Sequence, residues 1–259
     1  MSLAMRTASS GMMAQQMMVD TIANNIANVN TAGFKKNRVN FRTLLYGTIR
    51  EPGAASGATT MSPTGLQVGT GVEVSSSIKL FAQGNFQQTT NPLDMGISGD
   101  GFFEIQLPNG DSAYTRDGSF RRDATGRLVT VDGFLLLPQV TIPADAQDIS
   151  IGQDGTVNVN INGSIQSVAS INIVTFANPA GLSADGANMF TETVSSGSPI
   201  PVTPGQGSAG LIRQGFVERS NTAVVDELIE LIQAQRNYEV NSRTIQVADE
   251  MLQELSNLL

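Results

Sequence analysis

Five aspartates, Asp111, Asp117, Asp123, Asp132 and Asp154, are the residues best suited by type and spacing to do chemistry. A pair of carboxylates can cleave a glycosidic bond, and Asp-rich turns can hold calcium. No stretch follows the 12-residue calcium loop. Asp117, Asp132 and Asp154 are each followed by Gly, a pairing that suits turns with positive φ. Ser98-Gly99-Asp100-Gly101-Phe102-Phe103 begins like a phosphate-cradling loop but lacks the Lys-Ser/Thr and the helix that should follow. Gly69-Thr70-Gly71 has no such continuation either. Arg116, beside acids in Tyr114–Phe120, is expected to form an internal salt bridge that fixes a hairpin.

The chain has neither His nor Cys. That excludes Ser-His-Asp and Cys-His nucleophiles, thiolate metal sites and disulfides. The reading is a non-enzyme with no cofactor and no small-molecule substrate. A secreted carbohydrate-active enzyme using Asp pairs is the alternative from another class.

The elements that would position these residues follow from composition and period. The formal charge of −8 is uneven. Residues 1–50 carry six basic side chains against Asp20 alone, whereas 93–204 carry 12 acids against four arginines. The acidic middle speaks against nucleic acid, which needs a basic footprint. The basic run 35–50 reads as a solvated loop or an inter-subunit contact. No segment holds the roughly 20 apolar residues of a membrane-spanning helix. The first residues lack the basic-then-apolar pattern of a cleaved signal peptide.

Helical periodicity is confined to the ends. Met5, Met12, Val19 and Ile26 recur every seven residues, with Met1, Ala8, Gln15, Ile22 and Val29 completing an a/d stripe. Gly33 is the expected stop. At the other end Val224, Leu231, Tyr238, Ile245, Leu252 and Leu259 keep the same spacing, widened by Leu228, Ala234, Ala248 and Leu255. Ser220 or Asn221 is the expected cap, and Asp226 and Glu227 suit the helix N-terminus. Two arrangements would cover these stripes: a hairpin on the chain's own domain, or a coiled coil packed among copies. The Met- and Ala-rich N-terminal face, interleaved with Gln and Asn, favours the second.

Between the helices the period falls to two. Strands are predicted at Phe103–Leu107, Ser112–Arg116, Leu128–Val131, Phe134–Leu137, Thr156–Ile161, Ile165–Val168 and Ile171–Phe176. Asn162-Gly163 is the strongest hairpin signal. Residues 47–72 read as a long loop or extended arm. Phe102, Phe103, Phe120, Phe134, Leu135 and Phe176 are the candidate core. The fold class is α+β: N- and C-terminal helices paired as a coiled-coil stem, with a mainly antiparallel β outer domain. The expected domains are 1–33 with 221–259 (helical), 34–95 with 205–220 (connecting, bearing the arm at about 46–72) and 96–204 (β-rich).

Ala27-Asn28-Val29-Asn30-Thr31-Ala32-Gly33-Phe34-Lys35 closely resembles the signature of flagellar rod, hook and hook-associated proteins. Asp20–Ile26 before it matches as well. Leu231–Ser242, with Thr244 to Met251-Leu252, looks like the family's C-terminal element. Leu44–Gly53 with Gly65–Val72 is similar to a segment typical of distal rod subunits. Ser98–Phe103, Tyr114–Phe120 and Gln214–Glu218 also match, so the resemblance spans nearly the whole chain and is weakest at 139–210.

The resemblance implies a distal rod subunit that polymerises into a helical tube, carries torque to the hook and forms part of an export channel. A proximal rod or hook-type subunit is the alternative within the family. The implied partners are copies of itself, proximal rod proteins, the hook protein, the P-ring and L-ring proteins and the flagellar type III export apparatus. The implied place is the periplasm-spanning basal body, reached without a cleaved signal peptide. The residues expected to pack the helices in the assembly are Met12, Val19, Ile22, Ile26, Asn28, Asn30, Thr31, Gly33 and Phe34, with Leu228, Leu231, Gln235, Tyr238, Asn241, Ile245 and Leu252. Tyr46, Ile49, Pro52, Leu66 and Val68 are the expected stiffening arm.

Overall fold

In the computed structural model, which describes residues 3–53 and 64–258, helix occurs almost entirely at the two ends: α1 at Leu3–Ala27 and α2 at Val224–Leu258. Nearly all else that is regular is strand, so the chain is α+β. It divides into two units, Met1–Ile26 with Asn37–Ile78 and Ala223–Leu259, and Ala27–Lys36 with Lys79–Thr222.

The first unit holds both helices and four strands: β1 (Asn37–Thr43), β2 (Gly47–Arg50), β3 (Leu66–Val68) and β4 (Val72–Lys79). β1 hydrogen-bonds to β4, and the Arg42 guanidinium pairs with the Glu73 carboxylate. The stretch expected as a loop or extended arm contains a ladder. β2 and β3 pair antiparallel, with Gly47 opposite Val68, because both flanks of the Gly/Ser-rich stretch carry period-two residues. Residues 54–63 of that arm lie outside the described residues, as do Met1 and Leu259 of the helical stripes and the side chain of Leu255.

α1 does not run to Gly33. It ends at Ala27, and the backbone turns through Thr31, whose N–H donates to the Asn28 carbonyl at 3.1 Å. Gly33 has φ +67°, yet it serves a close approach rather than a helix end. A Cβ there would lie 2.5 Å from the Asp117 nitrogen. Neither expected cap of α2 acts as one. The Ser220 hydroxyl donates to Thr222 Oγ1 at 2.9 Å. The Asn221 amide accepts from Lys36 N–H at 2.8 Å and donates to the carbonyls of Leu80 and Ala82. Ser220 is thus tied to its near neighbour Thr222 and Asn221 to partners distant in sequence, and α2 begins at Val224.

The second unit centres on a seven-stranded sheet in the order 183–186, 189–191, 112–115, 103–106, 135–137, 128–129, 121–122. Its named pairs run antiparallel. A three-stranded sheet, 148–151, 156–161 and 164–170, includes the hairpin expected at Asn162-Gly163. Those two residues have φ +51° and +85°, the positive values that a tight two-residue hairpin turn demands. Phe103, Ile105, Phe120, Val157, Val159 and Ile173 meet in the main core. Phe102, Tyr114, Phe176 and Phe190 form a second cluster with edge-to-face rings, Tyr114 and Phe176 being 4.8 Å apart at their centroids.

One core position differs from expectation by a single step. Leu136, not Leu135, is fully buried, opposite Ile105, while Leu135 and Phe134 are half-buried. In a strand this one-residue shift exchanges faces. Leu136→Ala should therefore cost about 2–5 kcal/mol and Leu135→Ala clearly less. The two urea midpoints, compared with wild type, measure the difference.

Candidate functional site

The second unit is organised around one buried carboxylate. Glu218 ends the strand Phe216–Glu218, and its side chain is 0% exposed. Lys35 Nζ, equally buried, lies 2.6 Å from Glu218 Oε1 and also donates to the Ala82 carbonyl at 2.9 Å. The Gly84 N–H donates to the same Oε1 at 2.7 Å. Arg116 Nη1 sits 3.5 Å from Oε2, while Nη2 donates to the Gly99 carbonyl at 2.8 Å. The guanidinium carbon lies 5.4 Å from the centre of the Phe102 ring. Burial pushes the Lys35 and Arg116 pKa values down, and the Glu218 charge opposes that push. Arg116 therefore makes an internal ion pair, but across the chain rather than within its own hairpin. Lys35 is not on a solvated loop: the basic run begins inside the protein.

The turn that delivers Lys35 is clamped at several points. Gly33 N–H donates to the Glu218 carbonyl at 2.8 Å, and Asn188 donates to the Ala32 carbonyl at 2.9 Å. Arg219 donates to the Asn30 side chain at 2.9 Å. Phe34 is buried, with Lys79 Nζ 5.5 Å from its ring centre. Gly33 and Phe34, named in the sequence as helix-packing residues, are thus interior residues of the second unit. Asn28 and Thr31 are half-buried beside them and Asn30 is exposed.

The five aspartates do not converge on one site, although Asp117 and Asp132 line the same small pocket. Asp123 accepts from Thr125 and Arg127, and Asp154 accepts from Thr156. Burial pulls the Asp123 pKa upward, but these hydrogen bonds win and hold it below the usual carboxylate range. Those of Asp154 likewise hold its pKa low. Asp117 accepts from Ser119 N–H at 3.0 Å, and burial raises its pKa. These three acids secure their own turns, and Asp111 accepts from the Asn109 amide at 2.7 Å. No group of three acids able to hold a metal occurs among the described residues.

The first unit brings the two helices together. Asn25 Nδ2 donates to the Glu227 carboxylate at 3.0 Å and to the Asn37 carbonyl at 2.9 Å, with Asn25 and Glu227 both buried. Two heptads away on each helix, Gly11 faces Asn241, whose amide would lie 2.9 Å from a Cβ at position 11. These two contacts fix an antiparallel register. Ile22 is buried, and Met12, Val19, Ile26, Leu231, Asn241 and Ile245 are half-buried. Leu228, Gln235, Tyr238 and Leu252 remain exposed, as do Tyr46, Ile49, Pro52 and Leu66 of the arm, with Val68 half-buried. Sequence reasoning missed the ion cluster and the Asn25–Glu227 pair. The available signal was that Lys35, Arg116 and Glu218 each sit among Gly and Phe residues inside a motif.

The same segments carry the likeness to known proteins. Residues 5–35 match the family described as Flagella basal body rod protein. Residues 96–159 match the Flagellar hook protein FlgE/F/G D1 domain, and 213–258 match the Flagellar basal body rod FlgEFG protein C-terminal. Flagellar basal-body rod protein FlgG of Buchnera aphidicola (subsp. Schizaphis graminum) is 46% identical over 97% of both chains. The chain belongs to the FlgG family of flagellar basal-body rod proteins. FlgG of Borreliella burgdorferi is 45% identical over 100% of this chain and 99% of its own. In Bacillus subtilis, FlgG is 44% identical and the hook-basal body complex protein FlhP 29%, each over 96% of both chains. The solved Helicobacter pylori flagellar hook protein FlgE2 aligns over 71% of this chain and 43% of its own, with 15% identity and a TM-score of only 0.25. Membership makes the chain a structural subunit of the flagellar rod, located in the basal body.

Glu218→Gln would leave two buried cations without their carboxylate. The expected loss is about 3–5 kcal/mol, read from urea unfolding. Arg42→Ala, which breaks an exposed pair, should move the midpoint little.

Proposed function

We propose that this rod subunit builds the distal rod by polymerising with copies of itself into a helical tube. The observation that carries the reading is the surface of α1 and α2. After the helices have met each other, large apolar side chains still face solvent: Met13 is 70% exposed, Met17 46% and Val240 64%. Such side chains gain roughly 25 cal/mol per Å² of apolar surface when a neighbour covers them. Contacts between unlike faces propagate as a helix rather than closing as a dimer. The heptad spacing of both stripes and the antiparallel contacts at Asn25–Glu227 and Gly11–Asn241 support a coiled-coil stem.

The subunit divides into a helical stem from 1–33 and 221–259, a connecting layer from 34–95 and 205–220, and an outer β domain from 96–204. The stems line a central export channel, and the tube transmits torque from motor to hook. Its neighbours are the proximal rod proteins, the hook protein and the P- and L-ring proteins. The subunit reaches its periplasm-spanning place through the type III export apparatus. It acts as no enzyme, in keeping with aspartates already engaged in turns. The acidic 93–204 surface suits ring proteins that must be placed without tight adhesion.

Exposed Tyr46, Ile49 and Leu66 support a wedge role for the arm, one that blocks sliding between neighbours. Purified protein under polymerising conditions should form straight hollow tubes by electron microscopy. A chain lacking 46–72 should form more curved or flexible ones. Failure of the intact chain to form any tube would reject the polymer reading. Equally straight deletion tubes would reject only the wedge.

A further inference from the structure

The two helices expose surfaces on the sides turned from the Asn25–Glu227 and Gly11–Asn241 contacts, with Val240, Arg243 and Val247 of α2 also lining an open groove beside Ala4 of α1. On α1, Met13 and Met17 stand one turn apart, and Asp20 follows three residues later. With Val72 and Val74 of β4 they line an open groove whose rim carries Asp20 and Glu73. Glu73 is paired with Arg42, whereas Asp20 has no ion-pair partner among the described residues.

On α2 a second stripe runs through Ile229, Ile232, Arg236, Val240, Arg243 and Val247, all exposed. Steps of three and four residues keep these on one side of the helix, and Asn241 and Glu227 meet α1 from the other. Neither arginine has an ion-pair partner among the described residues. Glu239, three residues after Arg236 and four before Arg243, borders this stripe and lines a groove with Tyr238, Gln16 and Val19, and it forms no ion pair with either arginine among the described residues.

We infer that the α1/β4 groove of one copy receives the Arg236–Arg243 face of α2 from a second copy, with an arginine against Asp20. Charge complementarity selects the occupant: the groove offers sulfur and methyl groups edged by carboxylate, and the stripe offers branched aliphatics flanking two guanidiniums. The spacing fits in either polarity. Asp20 lies three residues beyond Met17, and the arginines lie four before and three after Val240. With Val240 on Met17, one guanidinium falls beside Asp20 within a helical turn of about 5.4 Å. Groove and stripe are different surfaces, so a copy that fills its neighbour's groove keeps its own groove open and the contact propagates. The inference rests on the self-assembly reading and specifies which faces meet.

The experiment uses three full-length chains: wild type, Asp20→Arg, and Arg236→Asp/Arg243→Asp. All three positions are solvent-exposed, so the variants should keep the wild-type circular dichroism. Wild type should assemble under polymerising conditions in a sedimentation assay. Each variant alone should lose most of its pelletable fraction, and an equal mixture should recover it, because each variant groove then meets an opposite charge. A second readout exploits the absence of Cys. A Met17→Cys copy and a differently tagged Val240→Cys copy should form a mixed-tag dimer on mild oxidation. Variants that pellet like wild type, a mixture that stays soluble, or a missing mixed-tag dimer while wild type assembles would overturn this pairing and leave self-assembly intact. A wild-type chain that never assembles would reject both.

Discussion

A carboxylate removed from water must find opposite charge and hydrogen-bond donors, or it cannot remain ionised there. Glu218 finds both by drawing Lys35, Arg116 and the Gly84 amide onto its two oxygens. Those groups come from segments more than 100 residues apart at the extremes, so the cluster commits the chain to a single closure of its second unit. It also explains why Gly33 and Gly99 lie where they do. Gly33 lets the backbone of Arg116 and Asp117 pass close by, and the Gly99 carbonyl receives the Arg116 guanidinium. The motif residues serve this closure first.

The first unit uses a smaller version of the same device. Glu227 is buried against the Asn25 amide, and Asn25 also holds β1 through Asn37. A buried polar pair in the helix contact favours one register, because a slip would break its hydrogen bond. The small residues Ala8, Gly11, Ala14 and Ala234 let backbones approach closely. Ile22 is buried with them, whereas Met13, Met17, Ile229, Ile232 and Val240 face outward. So many large apolar side chains facing outward suit a subunit that packs against neighbours.

The acids that suggested chemistry are engaged in geometry. Asp123, Asp154 and Asp117 each bind the backbone two residues on, the ordinary use of Asp in a tight turn. A protein whose role is to be a rigid building block gains from turns secured in this way.

Local pattern alone determined the terminal helices, the Asn162-Gly163 hairpin, the alternating strands and the membership that the Asn28–Lys35 motif announces. Period, turn chemistry and short motifs are encoded within a few residues of one another, so they can be read without neighbours. Tertiary structure alone decided that α1 stops at Ala27, that Asn221 ties loops instead of capping α2, and that Leu136 rather than Leu135 enters the core. It also decided that Lys35 leaves solvent for Glu218. Each of these depends on a partner dozens to hundreds of residues away, and the free energy of a buried charge or a strand register exists only once that partner is in place.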